Sequence, residues 1–550
     1  MSCCKKIKLA IGRAKKLAVW RIITLMKKAK DKTQKSFTRG ALSLCVFLAL
    51  GKIIGAVYRL PLTWIMGAVG IGVYQMIFPL YSLLLTLSSS SVPQALAKII
   101  SAKRAKGDAV GVRQTFLSAS IWLVILSGLA TGLVVLFARP LAAVQGNADA
   151  FICFFGIAPA ILFVGIIAAY RGYFQGNENM TPSGVSSLIE QVIKMAAGLF
   201  LANLFKPRGV YWSVFGALLG VSISELVAAN FLAIRFLCEK GRPRLNFGNL
   251  NFKCCSKNIF AICLPATLGG LIMPLVQFID SGLVVNLLDG IGFSHDVSVA
   301  LFGVSSGAVG SLINLPVVVS LAIATAALPS ISKNNELNCH EKVKATIDKS
   351  WTLTLFLSVP CAVGLALLSR PIMSVLYGNV FDSNELTAAS GLLKIGAISI
   401  IFLALTQVAS GVCQGLGKFK IPLFGLILGG SIKIIANLCL IRVPNINIYG
   451  DQIANILCFF TSAAFDFAFI VRFFTISTLK NTLKIAFLAA VMAIFVIIFN
   501  YFVNVSNFIW LCVCILGAVI VYFALAPLVF KKPKNNKATG KKASKNKIVS

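Results

Sequence analysis

A short list of ionisable side chains interrupts the long apolar runs of this chain. Lys52 lies in "GKIIG" and Arg59 follows it in "YRLPL". Arg171 closes a later run, and Glu190 and Lys194 stand at i and i+4 in the next. Glu225, Asp280, Lys433 and Asp466 come after them. A charge within a bilayer is costly unless it faces protein or water, so each is a functional candidate by default. Lys52 is flanked by Gly51 and Gly55, which let a partner or ligand approach closely. Lysine and arginine hold phosphate through charge-assisted hydrogen bonds. A cavity lined by Lys52, Arg59 and Arg171 would draw in an anion, and a lipid-linked pyrophosphate would suit such a field. A cationic drug would not. Two readings stand for Arg171, a cavity group or a positive anchor at the membrane boundary, and Arg59 can also snorkel to the interface. Glu190 and Lys194 can neutralise each other on one helix face or serve a ligand. Asp280 has no basic neighbour on its own run, so it calls for a cavity role or a lysine from another helix.

The elements that must carry these groups are membrane spans. The chain has 550 residues, 58% of them hydrophobic and 13% charged, with a mean hydropathy of +0.87. Soluble domains carry about 25% charged residues. Apolar runs near twenty residues are too long for strands and suit a ~30 Å hydrocarbon layer. No ten-residue apolar–polar alternation of a membrane barrel is present. The pattern predicts an all-α polytopic membrane protein with fourteen spans. They fall at about 38–60, 70–98, 114–138, 150–171, 185–205, 211–237, 258–284, 298–330, 350–374, 387–413, 421–441, 451–475, 483–503 and 507–530.

Alternate loops are rich in lysine and arginine, and such loops belong on the cytoplasmic side. The net charge of +35 is therefore read as an orientation signal, with both termini cytoplasmic, and not as a nucleic-acid surface. Residues 5–35 mix Leu9, Leu17, Trp20, Ile23 and Leu25 with lysines and arginines. This predicts a basic amphipathic segment on anionic lipids. Residues 531–550 lack apolar anchors and are expected to be disordered.

The chain also repeats itself. "GYFQG" at 172–176 matches "GVCQG" at 411–415, and "IKMAAGL" at 193–199 matches "IKIIANL" at 432–438 at the same separation. Lys194 thus pairs with Lys433, and Arg171 faces Ser410. Two parallel six-helix lobes follow, the kind of repeat that rocks around a central cavity. Gly172, Gly176 and Pro182, and their counterparts Gly411, Gly415 and Pro422, are expected to form tight cytoplasmic turns that act as hinges. Small-residue runs, "SSSSVP" at 88–93, "GVSSGAVGS" at 303–311 and "LGG" at 428–430, predict close packing and local unwinding. No phosphate-binding loop of an ATPase and no nucleophile–base arrangement is written in the chain, so an enzyme is not expected. Two histidines make a His-rich metal site improbable. The cysteines are expected to be reduced, packed in apolar helices.

Taken together, "GKIIGAVYRLPL", "GIGVYQMIFPLYSLLLTLSSSSVPQALAKIIS", "YRGYFQGNENMTP", "SSLIEQVIK" and "PLVQFIDSGLV" resemble the polysaccharide-transport branch of the multidrug/oligosaccharidyl-lipid/polysaccharide exporter superfamily, and within it the stage V sporulation protein B and lipid II flippase groups. The likeness covers about residues 38–530. It implies a bacterial cytoplasmic-membrane flippase that moves an undecaprenyl-pyrophosphate-linked saccharide, the peptidoglycan precursor lipid II first among them, from the inner to the outer leaflet. A drug or cation antiporter on the same scaffold and a non-transporting scaffold for wall or spore-coat assembly are the alternatives. The implied organisation is a basic segment 1–37, a lobe 38–237, a linker 238–257, a second lobe 258–475, an added helix pair 483–530 and a tail 531–550. Lys52 matches the first basic position of the flippase pattern. The next falls on Tyr58, so Arg59 sits one residue late. Lys52, Arg59, Arg171, Glu190, Lys194 and Asp280 are the expected substrate-binding set. No cofactor is expected in the chain. Na+, H+, Cl− or the membrane potential would couple transport, and cell-wall synthesis proteins are the implied protein partners.

Overall fold

A computed structural model describes residues 47, 50–87, 91–239, 252–474, 479–503 and 507–530. Within 252–266 the side chains are described at Ile259 and Cys263 alone. The expected amphipathic segment 5–35 and the tail 531–550 lie outside the described residues, as does most of the expected linker.

Every regular element among the described residues is helical. The first half of the chain holds α1 (Leu50–Leu85), α2 (Val92–Ala105), α3 (Ala109–Leu136), α4 (Ala138–Val144), α5 (Phe151–Gly176), α6 (Thr181–Phe205) and α7 (Val210–Leu237). The second half holds α8 (Phe252–Gly290), α9 (His295–Phe302), α10 (Gly310–Glu336), α11 (His340–Leu367), α12 (Ser369–Tyr377), α13 (Ser383–Gly396), α14 (Ser399–Gly415), α15 (Lys420–Leu440) and α16 (Tyr449–Val471). Last come α17 (Leu479–Phe502) and α18 (Phe508–Phe530).

Among the described residues twelve helices are long and apolar enough to cross a membrane, or thirteen if α13 and α14, bent by 44°, form one broken span. The helix α1 is itself folded back. Gly67 sits within it at φ +72°, a conformation glycine tolerates because it has no Cβ. Lys52 and Leu85 line one cavity, although a straight helix would separate them by about 50 Å at 1.5 Å per residue. With that reversal, each of the fourteen expected spans has a helical counterpart.

Local signals explain the helix ends. Asp108 caps α3 by accepting from the Gly111 N–H at 2.7 Å. Asp382 and Glu385 form a reciprocal capping box on α13. Pro182 and Pro422 stand in the first turns of α6 and α15, where the missing N–H costs nothing. The run Gly303–Val309 is a π-helix between α9 and α10, so the unwinding expected of "GVSSGAVGS" takes that form. In "LGG", Gly429 abuts the Cys458 carbonyl and Gly430 lies on Val276.

The glycines expected to form turns do something else. Gly172 and Gly176 lie within α5, against Leu96 and Ile100 of α2, and an added Cβ would come within 2.8 and 2.7 Å of these side chains. Gly411 and Gly415 lie within α14 and meet Ala324 and Ile331 of α10 in the same way. The turns themselves are the shorter stretches after them, with Glu178 at φ 60° and Gly417 at φ 77°. These glycines seal helix pairs inside each half.

Helices α2, α3, α5, α6 and α7 pack mainly on one another, and α10, α11, α14, α15 and α16 do likewise. The helix α17 lies on α11 and α18 lies on α17. The halves meet most closely at the end opposite the lysine-rich loops. There Trp64 donates its Nε1–H to the Leu376 carbonyl at 2.7 Å, and Gln75 donates to the Ser306 carbonyl at 2.8 Å. Gly72 is pressed on the Val299 carbonyl, and Gly303 on the backbone of Ala68 and Gly72. Toward the other end, Ser91 contacts the Cys263 carbonyl at 3.3 Å and the Thr267 hydroxyl.

Candidate substrate cavity

Three cavities adjoin one another between and within the halves. The first, about 370 Å3, lies in the first half and is lined by Lys52, Arg171, Glu190, Gln191 and Glu225, among others. The middle cavity, about 280 Å3, is lined by Lys52, Tyr58, Arg59, Lys194, Asn314 and Gln407. The third, about 220 Å3, takes Arg59, Asn314, Asp280, Lys433, Asp451 and Gln452. Lys52 and Gly55 line both the first and the middle cavity. Arg59, Phe78 and Asn314 line both the middle and the third.

The charges are not shared evenly. Carboxylates line the first and third cavities, and each has a partner. Arg171 donates from Nη2 to Glu190 Oε2 at 3.1 Å and from Nε to Ser186 at 3.0 Å. Gln191 donates to the other Glu190 oxygen at 3.0 Å. Tyr81 donates its hydroxyl to buried Glu225 at 3.0 Å. In the third cavity Lys433 pairs with Asp280 at 2.6 Å and stands 3.6 Å from Asp451.

The middle cavity is different. Its charged lining is Lys52, Arg59 and Lys194, with no carboxylate. Among the described residues neither Lys52 nor Lys194 forms an ion pair, and Arg59 makes only a 3.3 Å hydrogen bond to Ser311. Three cations in a partly dry space, none of them in an ion pair among the described residues, attract an anion more strongly than the same charges would in water.

Lys52, Arg59 and Lys194 come together in one cavity. Arg171 and Glu190 pair with each other in the neighbouring one, so the i, i+4 neutralisation of Glu190 by Lys194 gives way to a cross-helix pair between α5 and α6. Arg171 lines the first cavity, with its side chain 22% exposed. Asp280 has the lysine from another helix that its isolation called for, and Asn437 donates to its other oxygen at 2.5 Å. The lysine is the repeat partner of Lys194. Asp466, a further buried carboxylate of the second half, accepts from Ser410 at 3.0 Å, the residue that faces Arg171 in the repeat. Asp451, Asn437, Gln452 and Tyr81 were not singled out from the sequence. Asp451 begins α16 and reads there as a boundary residue, and neutral amides carry no hydropathy signal strong enough to mark them.

Residues 37–335, more than half of the chain, match the polysaccharide biosynthesis protein family. The chain belongs to that family. Residues 265–439 of this polysaccharide biosynthesis family member also match the MatE family, and the resemblance read from its motifs to the multidrug/oligosaccharidyl-lipid/polysaccharide exporter superfamily is borne out. The chain is 26% identical over 482 residues to the lipid II flippase MurJ of Bacillus subtilis strain 168, covering 83% of this chain and 87% of that protein. It is 24% identical over 425 residues to stage V sporulation protein B of the same organism, covering 76% and 81%. The solved structure of lipid II flippase MurJ in an inward closed conformation superposes with a TM-score of 0.65 at 17% identity, covering 88% of this chain and 98% of that one. The fold is that of an all-α polytopic transporter of this superfamily, and its relatives are membrane transporters, not catalytic enzymes.

Proposed function

We propose that this protein flips an undecaprenyl-pyrophosphate-linked saccharide from the inner to the outer leaflet, with lipid II as the leading substrate. The observation that carries this reading is the middle cavity, whose charged lining is Lys52, Arg59 and Lys194 without a carboxylate. A pyrophosphate supplies the negative charge this lining lacks. Arg59 offers a planar fork to phosphate oxygens, and the lysines act as movable point charges. The amides and hydroxyls next to Arg59 in the third cavity, Gln75, Asn314 and Asn455 among them, give a polar head group further donors and acceptors. The prenyl chain stays in lipid while the head group crosses, and the two lobes alternate around it. The membrane potential can assist, at about 2.3 kcal/mol per charge per 100 mV. Antiport of a cationic drug fits the cavity less well, because the four carboxylates that line the cavities are already held by Arg171, Tyr81 and Lys433.

Reconstitution with fluorescent lipid II and with a second prenyl-pyrophosphate sugar, followed by a leaflet-accessibility assay, tests activity and substrate together. Protein-dependent transfer of lipid II is expected. Transfer of neither lipid overturns the reading, and transfer of the second alone moves it to another saccharide.

The orientation that goes with this function puts both termini and the lysine-rich loops in the cytoplasm. In a cysteine-free background, a cysteine at Ser294, in the turn before α9, is expected to react with an impermeant thiol reagent from outside. One at Thr346, half-buried on the first turns of α11, is expected to react only after the membrane is opened. The reverse pattern inverts the topology.

A further inference from the structure

The second half contains a buried charge cluster centred on one lysine. Lys433 of α15 extends its Nζ between Asp280 of α8, at 2.6 Å, and Asp451 of α16, at 3.6 Å. All three residues are more than nine-tenths buried. Asn437 donates to Asp280 Oδ1, Ser305 of the π-helix donates to Asp451 Oδ2 at 2.6 Å, and Gln452 donates to Ser305 at 2.8 Å. Asp451 Oδ1 accepts no hydrogen bond and faces the ammonium alone. Two carboxylates from two helices thus flank one positive charge, and an amide N–H and a hydroxyl hold their other oxygens in place. Oxygen donors of this kind, contributed by separate helices, are what a hard cation requires.

We propose that Lys433 is a tethered counter-cation: its ammonium fills the cation site of the second half, so the protein holds no exchangeable alkali ion there, and removing that ammonium uncovers a latent alkali-cation site built on Asp280 and Asp451. The internal repeat supports this division of labour. Lys194, the matching lysine of the first half, forms no ion pair among the described residues and faces the middle cavity. One copy of the position lines a cavity without an ion pair, and the other is held between two carboxylates. Breaking a buried pair by removing one partner leaves uncompensated charge and is strongly destabilising. An ion that binds the folded state alone restores stability by mass action.

The test measures the melting temperature of the full-length protein in detergent, in sodium chloride against choline chloride at equal ionic strength, with potassium chloride as a third arm. The wild-type protein is expected to melt at the same temperature in all three. Lys433→Met is expected to melt lower in choline and to gain at least about 2 °C in sodium or potassium. Lys433→Met combined with Asp280→Asn has one carboxylate fewer to neutralise, so it is expected to fold and to lose that gain. A wild-type protein stabilised by sodium, with the effect abolished in Asp280→Asn, overturns the proposal. So does a folded Lys433→Met that ignores both alkali ions. Should Lys433→Met fail to fold in every salt, the wild-type and Asp280→Asn pair decides the matter on its own. The readout contains no lipid substrate, so a wrong transport substrate leaves it unaffected.

Discussion

Replacing Lys52 with alanine is expected to lower the initial rate of lipid II transfer by about tenfold to a hundredfold. Loss of one hydrogen bond to a charged group is worth about 1.5–3 kcal/mol, and Lys52 forms no ion pair among the described residues that would compete with a ligand. Its ammonium also stands where the first and middle cavities meet, so it acts both on entry and on binding. Lys52→Arg keeps the charge and is expected to retain most of the rate. Lys194→Ala should fall in the same direction. The double variant should be worse than either alone, because the two ammoniums face one ligand without pairing internally. In flippase-depleted cells Lys52→Ala is expected to fail to support growth while its membrane insertion stays normal. Full growth with that variant removes Lys52 from the mechanism.

Gly72→Val should abolish transfer by a different route. Gly72 is pressed against the Val299 carbonyl, and the facing Gly303 would place a Cβ only 2.7 Å from the Gly72 Cα. A valine at this point forces backbone away from backbone, and neither neighbour is a flexible side chain that can swing aside. Overpacking of this kind typically costs about 1–3 kcal/mol, which shifts a two-state equilibrium by roughly fivefold to more than a hundredfold. The contact lies on the face where Trp64 bonds to Leu376 and Gln75 to Ser306, so the variant should favour states in which this end is open. Spin labels on cysteines at Trp64 and Leu376 report on it. Their separation should be short and narrowly distributed in the parent and widen with Gly72→Val. An unchanged distribution would mean that this contact does not hold the end shut.

Much of this architecture is legible in the residues because a bilayer leaves so few options. Apolar runs near twenty residues must be helices, since only a helix satisfies its own backbone in lipid. The membrane-crossing helices therefore come directly from hydropathy, and Pro182 and Pro422 mark helix starts as their ring geometry requires. The reversal at Gly67 and the π-helix at Gly303–Val309 depend on packing between the halves. Hydropathy is blind to that packing, although the small residues there hinted at it. The glycines of "GYFQG" and "GVCQG" show the limit plainly. A Gly–x–x–x–Gly spacing reads equally as a turn or as a helix face that lets another helix approach, and α2 and α10 decide for the second.

The charged residues divide in the same way. Sequence alone determined which groups lie in the membrane, because a buried charge stands out against an apolar run and its desolvation cost demands a reason. It also marked Lys52 as a cavity candidate and paired Lys194 with Lys433 through the repeat. Only the tertiary structure decided which of these charges are spent on each other. Glu190 left its i+4 neighbour for Arg171, Asp280 took Lys433, and Lys52, Arg59 and Lys194 were left facing one cavity. Coulomb energy in a low-dielectric interior depends on distances of a few ångströms between helices far apart in the chain, and no pattern along a single helix contains those distances.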